Sequence, residues 1–326
     1  MKINIKVPTG NICTLIGEHG KELEFLSIGD YGKEKNVKAD FLGLTKEING
    51  VEHCKLLPLE EKWVITISSQ YGCSMGCKFC DAPKVGAGYN ATFHDLINQV
   101  NKGISLHPEV KNTKRLNLHY ARMGEPTFNR DVINSAYYLS AQMKANNFGF
   151  HPVVSTMMPY SNVDLCDFIV NWLIFKNNVE GEAGLQISIN TTDRVFRHFT
   201  MPCSSSLAKI SSDMETAIER LGGVVKGRKI TLNFALTDAE IDANILRKLF
   251  DPKYFICKLT PMHMTTACKD LGIKTENGYT AFYPYKDVEK RLKASGFDVI
   301  VFIPSIEEDE SRITCGNVIL SDRKIK

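Results

Sequence analysis

The amino-acid sequence predicts an α/β protein whose parallel sheet forms a barrel or an open partial barrel. Three observations lead to this fold class. From residue 63 onward, short β-rich runs alternate with longer segments of helical period. The links between them are short, so consecutive strands would run parallel with right-handed crossovers. The 326 residues suffice for about two domains, or for one barrel with an appendage.

Seven barrel strands are expected, each a short run bounded by turn residues. They lie at about residues 64–68, 115–119, 150–154, 185–189, 229–235, 255–259 and 298–303. Six helices are expected between them, because apolar side chains recur there every three or four residues. They span about residues 92–103, 130–145, 162–175, 206–221, 240–250 and 286–294. Thr92 and Asn162 are the expected caps, and Gly222, Gly223 and Gly296 the expected stop signals.

The first 60 residues break this rhythm. Alternating pieces at 2–7, 13–16, 22–26 and 37–42 are separated by turns rich in Gly, Lys and Glu. We therefore expect a small β-rich N-terminal extension over residues 1–60 and a barrel over residues 61–320. Residues 321–326 would form a short polar tail that frays.

Composition excludes several classes of protein. With 43% hydrophobic and 24% charged residues, and with Gly 23 and Pro 12, the chain is neither disordered, nor collagen-like, nor a coiled coil. Its apolar runs are of strand length, far below the roughly 20 residues of a membrane span. Since the N-terminus is charged and alternating, we expect a cytoplasmic protein with no membrane partner and no signal peptide. The net charge of +3 permits a nucleic-acid partner without indicating one.

Three of the ten cysteines stand apart from the rest. Cys73, Cys77 and Cys80 have the spacing C-x3-C-x2-C in a loop directly after a predicted strand, whereas the others are scattered. Such a loop can wrap a [4Fe–4S] cluster, with Gly76 letting the backbone bend, and leaves one iron open to a substrate or cofactor. A structural zinc site usually needs four ligands in two separated pairs. A zinc or ferredoxin-like site and three unrelated cysteines remain the alternatives.

The triplet, with Phe79 just before its last cysteine, resembles the defining loop of the radical S-adenosylmethionine (SAM) superfamily. The resemblance implies a partial (β/α)6 barrel, a [4Fe–4S] cluster, and SAM chelated by the open iron. One electron from the reduced cluster would cleave SAM to a 5′-deoxyadenosyl radical. It also implies an external electron donor such as flavodoxin or ferredoxin.

Further motifs resemble those of the RlmN/Cfr family of adenine C2/C8 RNA methyltransferases. Their order and spacing, across about residues 58–320, make the resemblance specific. The matching stretches are SSQYGC at 68–73, NAT at 90–92, MGEP at 123–126 with Asn129, ISIN at 187–190, Arg197, MP at 201–202, CKL at 257–259 and CGN at 315–317.

The candidate cofactor-binding residues follow successive predicted strands, on the face where barrels assemble their sites. A carboxylate in the Gly-Glu-Pro turn could accept hydrogen bonds from the SAM ammonium, and polar strand-end side chains could hold its carboxylate and ribose. For the strand-end residues, plain capping is the alternative. These candidates are Gly124, Glu125, Ser155, Ser188, Asn190 and His263, the last standing where the family has a SAM-contacting asparagine.

Cys315 matches the family's methyl-carrying cysteine. The resemblance implies that it takes a methyl group from one SAM, and that a radical from a second SAM then abstracts hydrogen from that methyl. The methylene radical would add to an sp2 carbon of the base. The family's second cysteine, which releases the product through a disulfide, is replaced here by Thr66. His53 occupies the position of the family's catalytic glutamate and Cys54 adjoins it, so both are candidate catalytic residues beside Cys315.

Three functions remain open at this stage. The first is a radical SAM methyltransferase that acts on RNA through Cys315. The second is a diverged radical SAM enzyme that modifies a small molecule, a nucleotide or a peptide. The third is a non-catalytic protein that keeps a cluster. RNA is the uncertain partner, because the family's helical N-terminal RNA-binding appendage has no counterpart in the first 60 residues.

Overall fold

The computed structural model describes residues 1–7, 9–30, 47–48, 51–52, 56–304, 309–313, 315 and 317–320. The strands in these residues are β1 (Lys2–Val7), β2 (Gly10–Ile16), β3 (Glu22–Gly29), β4 (Glu47–Ile48), β5 (Val51–Glu52), β6 (Trp63–Ile67), β7 (Gln70–Gly72), β8 (Ala87–Asn90), β9 (Thr113–Tyr120), β10 (Phe148–Thr156), β11 (Gly184–Ser188), β12 (Ile230–Leu236), β13 (Phe255–Pro261) and β14 (Asp298–Val301). The α-helices are α1 (Phe93–Ser105), α2 (Asp131–Ala145), α3 (Leu165–Asn178), α4 (Arg194–Thr200), α5 (Leu207–Arg220), α6 (Ala243–Leu249), α7 (Thr266–Leu271) and α8 (Tyr283–Ala294).

Ten strands form one sheet in the order β1-β2-β3-β6-β9-β10-β11-β12-β13-β14. The strands from β6 to β14 in this order pair in parallel, as expected for repeated βα units. The first three strands form an antiparallel meander, and β3 joins the barrel by antiparallel pairing with β6. The predicted α/β class with a β-rich N-terminal part is confirmed.

The two faces of the parallel strands differ in chemistry, because successive side chains point to opposite sides. On β9, Leu116, Leu118 and Tyr120 are fully buried in the main hydrophobic core, which also contains helix residues such as Leu139. His119, between two of them, faces the opposite side and stays only half-buried. The helices therefore cover one face of the sheet, and polar side chains line the interior of the partial barrel.

Helix boundaries confirm most of the sequence signals. Thr92 caps α1, since its side chain accepts a hydrogen bond from Asp95 N while the Asp95 side chain accepts one from Thr92 N. Gly222, Gly223 and Gly296 adopt positive φ angles just beyond α5 and α8. The prediction that Asn162 caps α3 was wrong, since α3 begins after Asp164. The Asn162 amide oxygen instead accepts a hydrogen bond from Asp164 N within the preceding turn.

The elements missing from the sequence interpretation are short. Helices α4 and α7 have seven and six residues, too few for a periodic pattern to stand out. The β7–β8 hairpin likewise has strands of three and four residues.

The N-terminal strands predicted at 2–7, 13–16 and 22–26 are present, and the piece at 37–42 lies outside the described residues. The division of the chain at residue 60 stays a prediction. In the part of the chain that the structure describes, no helix combines the length and apolarity needed to cross a membrane.

Candidate active site

The cysteine loop, residues 73–80, lies at the C-terminal side of the sheet after β7. Backbone hydrogen bonds fix it to the surrounding chain: Cys73 N donates to Gly86 O at 3.1 Å, and Lys78 N donates to Thr200 O at 2.9 Å. Bonds of this kind hold a loop without using its thiols. The three side chains of Cys73, Cys77 and Cys80 are free thiols and partly accessible.

Helix α7 supports the loop from the other side. The Thr265 hydroxyl donates to Phe79 O at 2.7 Å. The buried Asp81 carboxylate accepts from Thr266 N at 3.1 Å and from Ala267 N at 3.0 Å, which caps the first turn of α7. Neither Asp81 nor Thr265 was singled out in the sequence, because the two segments are about 185 residues apart.

The electrostatic environment of the thiols disfavours their ionisation in the absence of a cation. Burial raises the pKa of Cys73 to about 11 and also raises those of Cys77 and Cys80. Neighbouring thiols and Glu125 add to the rise, since like charges in a poorly solvated pocket repel. Backbone N–H groups act in the opposite direction, with those of Met75 and Gly124 at Cys73.

These surroundings fit a cationic iron–sulfur group. As thiolates, the three side chains would repel one another and would be poorly solvated, although backbone N–H groups donate to Cys73. Binding of a positively charged cluster would therefore stabilise them strongly. Among the described residues, no three His, Cys, Asp or Glu side chains are arranged to hold a single metal ion. The cluster assignment therefore depends on the spacing and surroundings of Cys73, Cys77 and Cys80.

Glu125 lies beside the cysteine loop and is itself buried. Its Oε1 accepts from the Thr127 hydroxyl at 2.8 Å, and its Oε2 accepts from Met157 N at 3.0 Å. Burial raises the pKa of the Glu125 carboxyl, and these hydrogen bonds act against the rise. Gly124 has φ +97°, and a Cβ there would come within 2.5 Å of Gln70 Cβ. Only glycine therefore allows the turn that presents Glu125.

Ser188 and Asn190, at the end of β11, meet a buried arginine. Arg197 NH2 contacts Ser188 O at 3.4 Å, and the Cys77 thiol acts electrostatically on this guanidinium. Asn190 has φ +61°, and its amide bonds to Ala235 N at 3.0 Å and to Met201 Sδ at 3.3 Å. The Asn190 amide is thus engaged within the protein, whereas the Ser188 hydroxyl forms no hydrogen bond among the described residues.

Ser155 lies one strand away on β10, where its hydroxyl accepts from Gln186 Nε2 at 3.3 Å. Ser155 and Ser188 are half-buried, with the same inward orientation on neighbouring strands. The candidate cofactor residues of β10 and β11 therefore line one wall of the interior.

His263 belongs to a hydrogen-bonded group that the sequence did not reveal. Its Nδ1 lies 3.1 Å from Asp309 Oδ1 and 3.2 Å from the Tyr279 hydroxyl. Asp309 is buried, and its Oδ2 accepts from Met264 N at 2.8 Å. Burial and the Asp309 charge raise the pKa of Tyr279, and the Cys315 thiol contributes to this rise. The Cys315 thiol therefore acts electrostatically on this group.

Cys315 also lies near the cysteine loop. It is half-buried, and its thiol is the neighbouring charge that most raises the pKa of Cys80. The structure thus brings the methyl-carrier candidate to one end of the triplet, and Glu125 to Cys73 and Cys77 at the other. His53 and Cys54, the two other candidate catalytic residues, lie outside the described residues.

A buried ion pair holds the chain segment that follows Cys315. Glu24 on β3 pairs with Arg122, whose Nε lies 2.6 Å from Glu24 Oε1. The second oxygen of Glu24 accepts from Val318 N at 2.8 Å, and Arg122 NH1 donates to Ile313 O at 3.3 Å. A charged residue inside the alternating pattern of β3 was the available sequence signal for this anchor.

No protein-family model matches this chain. It is 28% identical over 198 residues to a probable dual-specificity RNA methyltransferase RlmN of Prochlorococcus marinus (strain NATL2A), covering 59% of this chain and 52% of that protein. It is 27% identical over 225 residues to the dual-specificity RNA methyltransferase RlmN of Buchnera aphidicola subsp. Schizaphis graminum (strain Sg), covering 65% and 59%. The chain spans about half the length of the curated relatives it matches.

Among solved structures, the fold is similar to the crystal structure of a radical SAM methyltransferase from Sphaerobacter thermophilus. The TM-score is 0.59 at 18% identity, and the match covers 92% of this chain and 75% of that one. At this identity the match establishes the fold. The resemblance to RlmN-type proteins that the motifs indicated is confirmed by the curated relatives.

Proposed function

From the similarity of this chain to RlmN-type radical SAM methyltransferases, we propose that the protein is a radical SAM enzyme that transfers a methyl group to an sp2 carbon of RNA. The observation that carries the proposal is the electrostatic effect of the Cys315 thiol on Cys80, which supports a position of Cys315 near the cysteine loop. A carrier cysteine must lie close to the place where SAM is bound, since both its methylation and the later hydrogen abstraction occur there.

Cys73, Cys77 and Cys80 would hold a [4Fe–4S] cluster, and Glu125 with the β10 and β11 strand ends would hold SAM. When bound, the cluster supplies one electron to SAM, which releases methionine and a 5′-deoxyadenosyl radical. The buried Arg197 guanidinium is positioned to stabilise negative charge beside Cys77. The external electron donor would be a small redox protein such as flavodoxin or ferredoxin.

Cys315 would take the first methyl group by nucleophilic attack of its sulfur on the SAM methyl carbon, with loss of the thiol proton and release of S-adenosylhomocysteine. His263, fixed by Asp309, is a nearby group suited to accept that proton. Thr66 cannot provide a thiol for product release. We assign that step to Cys54 or His53, on the resemblance alone.

The decisive experiment uses the reconstituted protein with dithionite and SAM carrying a labelled methyl group. We expect 5′-deoxyadenosine release, and label on Cys315 by intact-mass analysis and on an added total-RNA fraction. If label stays on the protein and never reaches RNA, the RNA assignment fails. A small molecule, nucleotide or peptide then becomes the substrate. If the protein has its full iron content but forms no 5′-deoxyadenosine, it is a non-catalytic protein that keeps a cluster.

A further inference from the structure

One thiol beside the cysteine loop has no role in the proposed chemistry. Cys203 packs, as Cys73 and Cys77 do, against a small cluster of buried methionine side chains. The members of this methionine cluster are Met75, Met157 and Met201. The Cys203 thiol is free and partly accessible. It lies far from the triplet in the chain, so no spacing pattern revealed it, and it adds a further sulfur atom that could bind iron.

The segment that carries Cys203 runs along the cysteine loop. Lys78 N donates to Thr200 O at 2.9 Å. A Cβ on Gly76 would lie 3.8 Å from Pro202 Cγ. The residues just before Cys203 are therefore in contact with the middle of the loop.

The same segment is fixed to the chain that follows β10. Tyr160 N donates to Cys203 O at 3.1 Å, and the Ser204 hydroxyl donates to Met157 O at 2.7 Å. Ser204 also pairs with Pro159 in an isolated antiparallel bridge. These bonds hold the backbone of Cys203 without using its thiol. A ligand on such a supported segment is positioned in advance of binding.

Cys203 and Glu125 act on the same part of the cysteine loop. Both raise the pKa values of the Cys73 and Cys77 thiols through their charge. They are also linked through the backbone, since Met157 N donates to Glu125 Oε2 at 3.0 Å and the Met157 side chain belongs to the cluster that Cys203 contacts. Because Glu125 is the proposed contact of the SAM ammonium, Cys203 lies toward the side from which SAM would approach the open iron.

A buried guanidinium in the same place lacks an anion. The Nε atom of Arg197 is buried and has no hydrogen-bond partner in the part of the chain that the structure describes. Its NH2 donates to Ser204 Oγ at 2.6 Å, and its NH1 lies 3.9 Å from Met201 Sδ. A buried charge without a counter-ion is costly, and each thiolate bound to a cluster adds one negative charge. Arg197 therefore favours an additional thiolate at this site.

A cluster can be reached by thiols that could not share one metal ion. Its four irons occupy the corners of a cube, so each thiol needs to approach only one corner. The triplet accounts for three corners, and SAM would take the fourth. A thiolate from another segment can bind that fourth iron only while SAM is absent.

We propose that Cys203 binds the open iron in the SAM-free protein and that SAM displaces it. This rests on the proposed radical SAM function and deepens it, because it adds a fourth, exchangeable protein ligand to the cofactor site. On displacement, the bond between iron and the Cys203 sulfur breaks, and the amino and carboxylate groups of SAM bind the iron. The amino group loses one proton and the thiolate takes up one, and no oxidation state changes. Cys203 thereby protects the cluster from loss of iron until SAM arrives.

The first measurement is the retention of iron by the reconstituted, SAM-free protein. Ferricyanide oxidises such clusters and releases an iron that has no protein ligand, so the unaltered protein should keep about four irons after brief treatment. Cys203→Ser keeps the size of the side chain but replaces the thiolate by a weakly binding hydroxyl. It should lose about one iron per cluster, seen as a three-iron signal in electron paramagnetic resonance spectra.

The second measurement is the equilibrium binding of SAM, which a merely structural role of Cys203 would not strengthen. Because the thiolate competes with SAM for one iron, Cys203→Ser and Cys203→Ala should bind SAM about tenfold more tightly than the unaltered protein. The matched control is Cys268→Ser, since the Cys268 thiol also contacts the cysteine loop, donating to Phe79 O at 3.6 Å. It should leave iron retention and SAM affinity unchanged.

The proposal requires both results. Iron retention equal to that of the unaltered protein, or SAM binding that is unchanged or weaker in the Cys203 variants, would overturn it. Release of 5′-deoxyadenosine in the same preparations tests the radical function separately. If both expectations are met but no 5′-deoxyadenosine forms, the radical function fails and Cys203 remains a ligand of the cluster.

Discussion

The two cysteine-bearing segments at this site are held by different parts of the molecule. The cysteine loop is bonded to barrel elements, since Lys78 N donates to Thr200 O and the Thr265 hydroxyl donates to Phe79 O. The segment after Cys315 is bonded to Glu24 on the N-terminal meander, and Ile313 and Val318 pack there against β2 and β3. The barrel therefore holds the candidate cofactor site, and the meander holds the segment after Cys315, the proposed methyl carrier.

This difference means that SAM cleavage and methyl transfer can be impaired separately by substitution. Loss of a cysteine-loop residue should remove all chemistry. Loss of the Cys315 anchor should leave SAM cleavage and remove transfer.

The largest effect is expected from the triplet. Cys73→Ala, Cys77→Ala and Cys80→Ala should each lose the cluster and with it all 5′-deoxyadenosine formation, because each removes one of the three available thiolates. Iron and sulfide analysis after anaerobic reconstitution, with roughly four irons in the unaltered protein, checks this. Cys166→Ala, in helix α3, is the matched control. Stoichiometric zinc in the unaltered protein would contradict the assignment.

Cys315→Ala should distinguish the role of the Cys315 segment from that of the cysteine loop. We expect no methylated product, since the carrier sulfur is gone, while 5′-deoxyadenosine is still released from the intact cluster site. Product analysis and nucleoside analysis of one reaction mixture give both quantities. Full product formation by this variant would mean that Cys315 carries no methyl group, and would favour a small molecule or peptide as substrate.

Glu24→Gln should loosen the Cys315 segment from the meander. The change leaves the buried Arg122 guanidinium without its anion and weakens the bond from Val318 N, at a cost of about 3–5 kcal/mol in the free energy of unfolding. Denaturant unfolding measures that cost, and hydrogen exchange should rise at residues 317–320.

The matched control for this anchor is Glu22→Gln, two residues away on the same strand and without such a buried contact among the described residues. Cluster content should be normal in both variants. Cluster loss in Glu24→Gln alone would mean that the meander also supports the cysteine loop. The cysteine loop and the Cys315 segment would then depend on the same part of the molecule.

Glu125→Gln should have a smaller effect, confined to the cofactor side. A glutamine amide would turn an N–H group toward the donors Thr127 or Met157 and would lose the charge that faces the SAM ammonium. We expect SAM binding to weaken by about one to two decades with the cluster retained. Equilibrium binding of SAM to the reconstituted variant tests this, and unchanged affinity would remove Glu125 from the SAM site.

Sequence patterns predicted the parts of the site that are local in the chain. The triplet, the Gly124-Glu125 turn and the Thr92 capping box each depend on residues within eight positions of one another, so their spacing is visible. The barrel strands were visible because alternation and β-rich composition are also local.

The contacts that position Cys315 were not predictable in this way. Glu24 and Val318 are 294 residues apart, and His263 meets Asp309 across 46 positions. Such pairs leave no periodic signal, since their proximity arises only when the sheet and its connecting loops are formed. A lone charged residue in an apolar strand, as at Glu24, indicates that some partner is needed but not which one.

The smallest effect concerns Thr66, which lies at the seam between the two regions. It is in register with Leu26 of the meander on one side and with His119 of the barrel on the other. Its side chain faces the interior, because the neighbouring Ile65 and Ile67 are fully buried in the core. Glu24 is two residues from Leu26 and therefore lies on the same side of the meander as position 66. The Glu24 carboxylate holds the segment after Cys315.

Thr66→Cys should restore the disulfide-forming step that the RlmN/Cfr resemblance implies. Because threonine and cysteine are similar in size, we expect a change of less than about 1 kcal/mol in stability. After oxidation, mass spectrometry should detect a disulfide between the introduced thiol and Cys315, which requires Cα atoms within about 4.4–6.8 Å. If RNA is the substrate, methyl transfer to RNA should also increase. The Thr66→Ser variant, which adds no thiol, should show neither change. A disulfide without increased methylation would place the two segments together but exclude the family's release step, and Cys54 would then be the next residue to substitute.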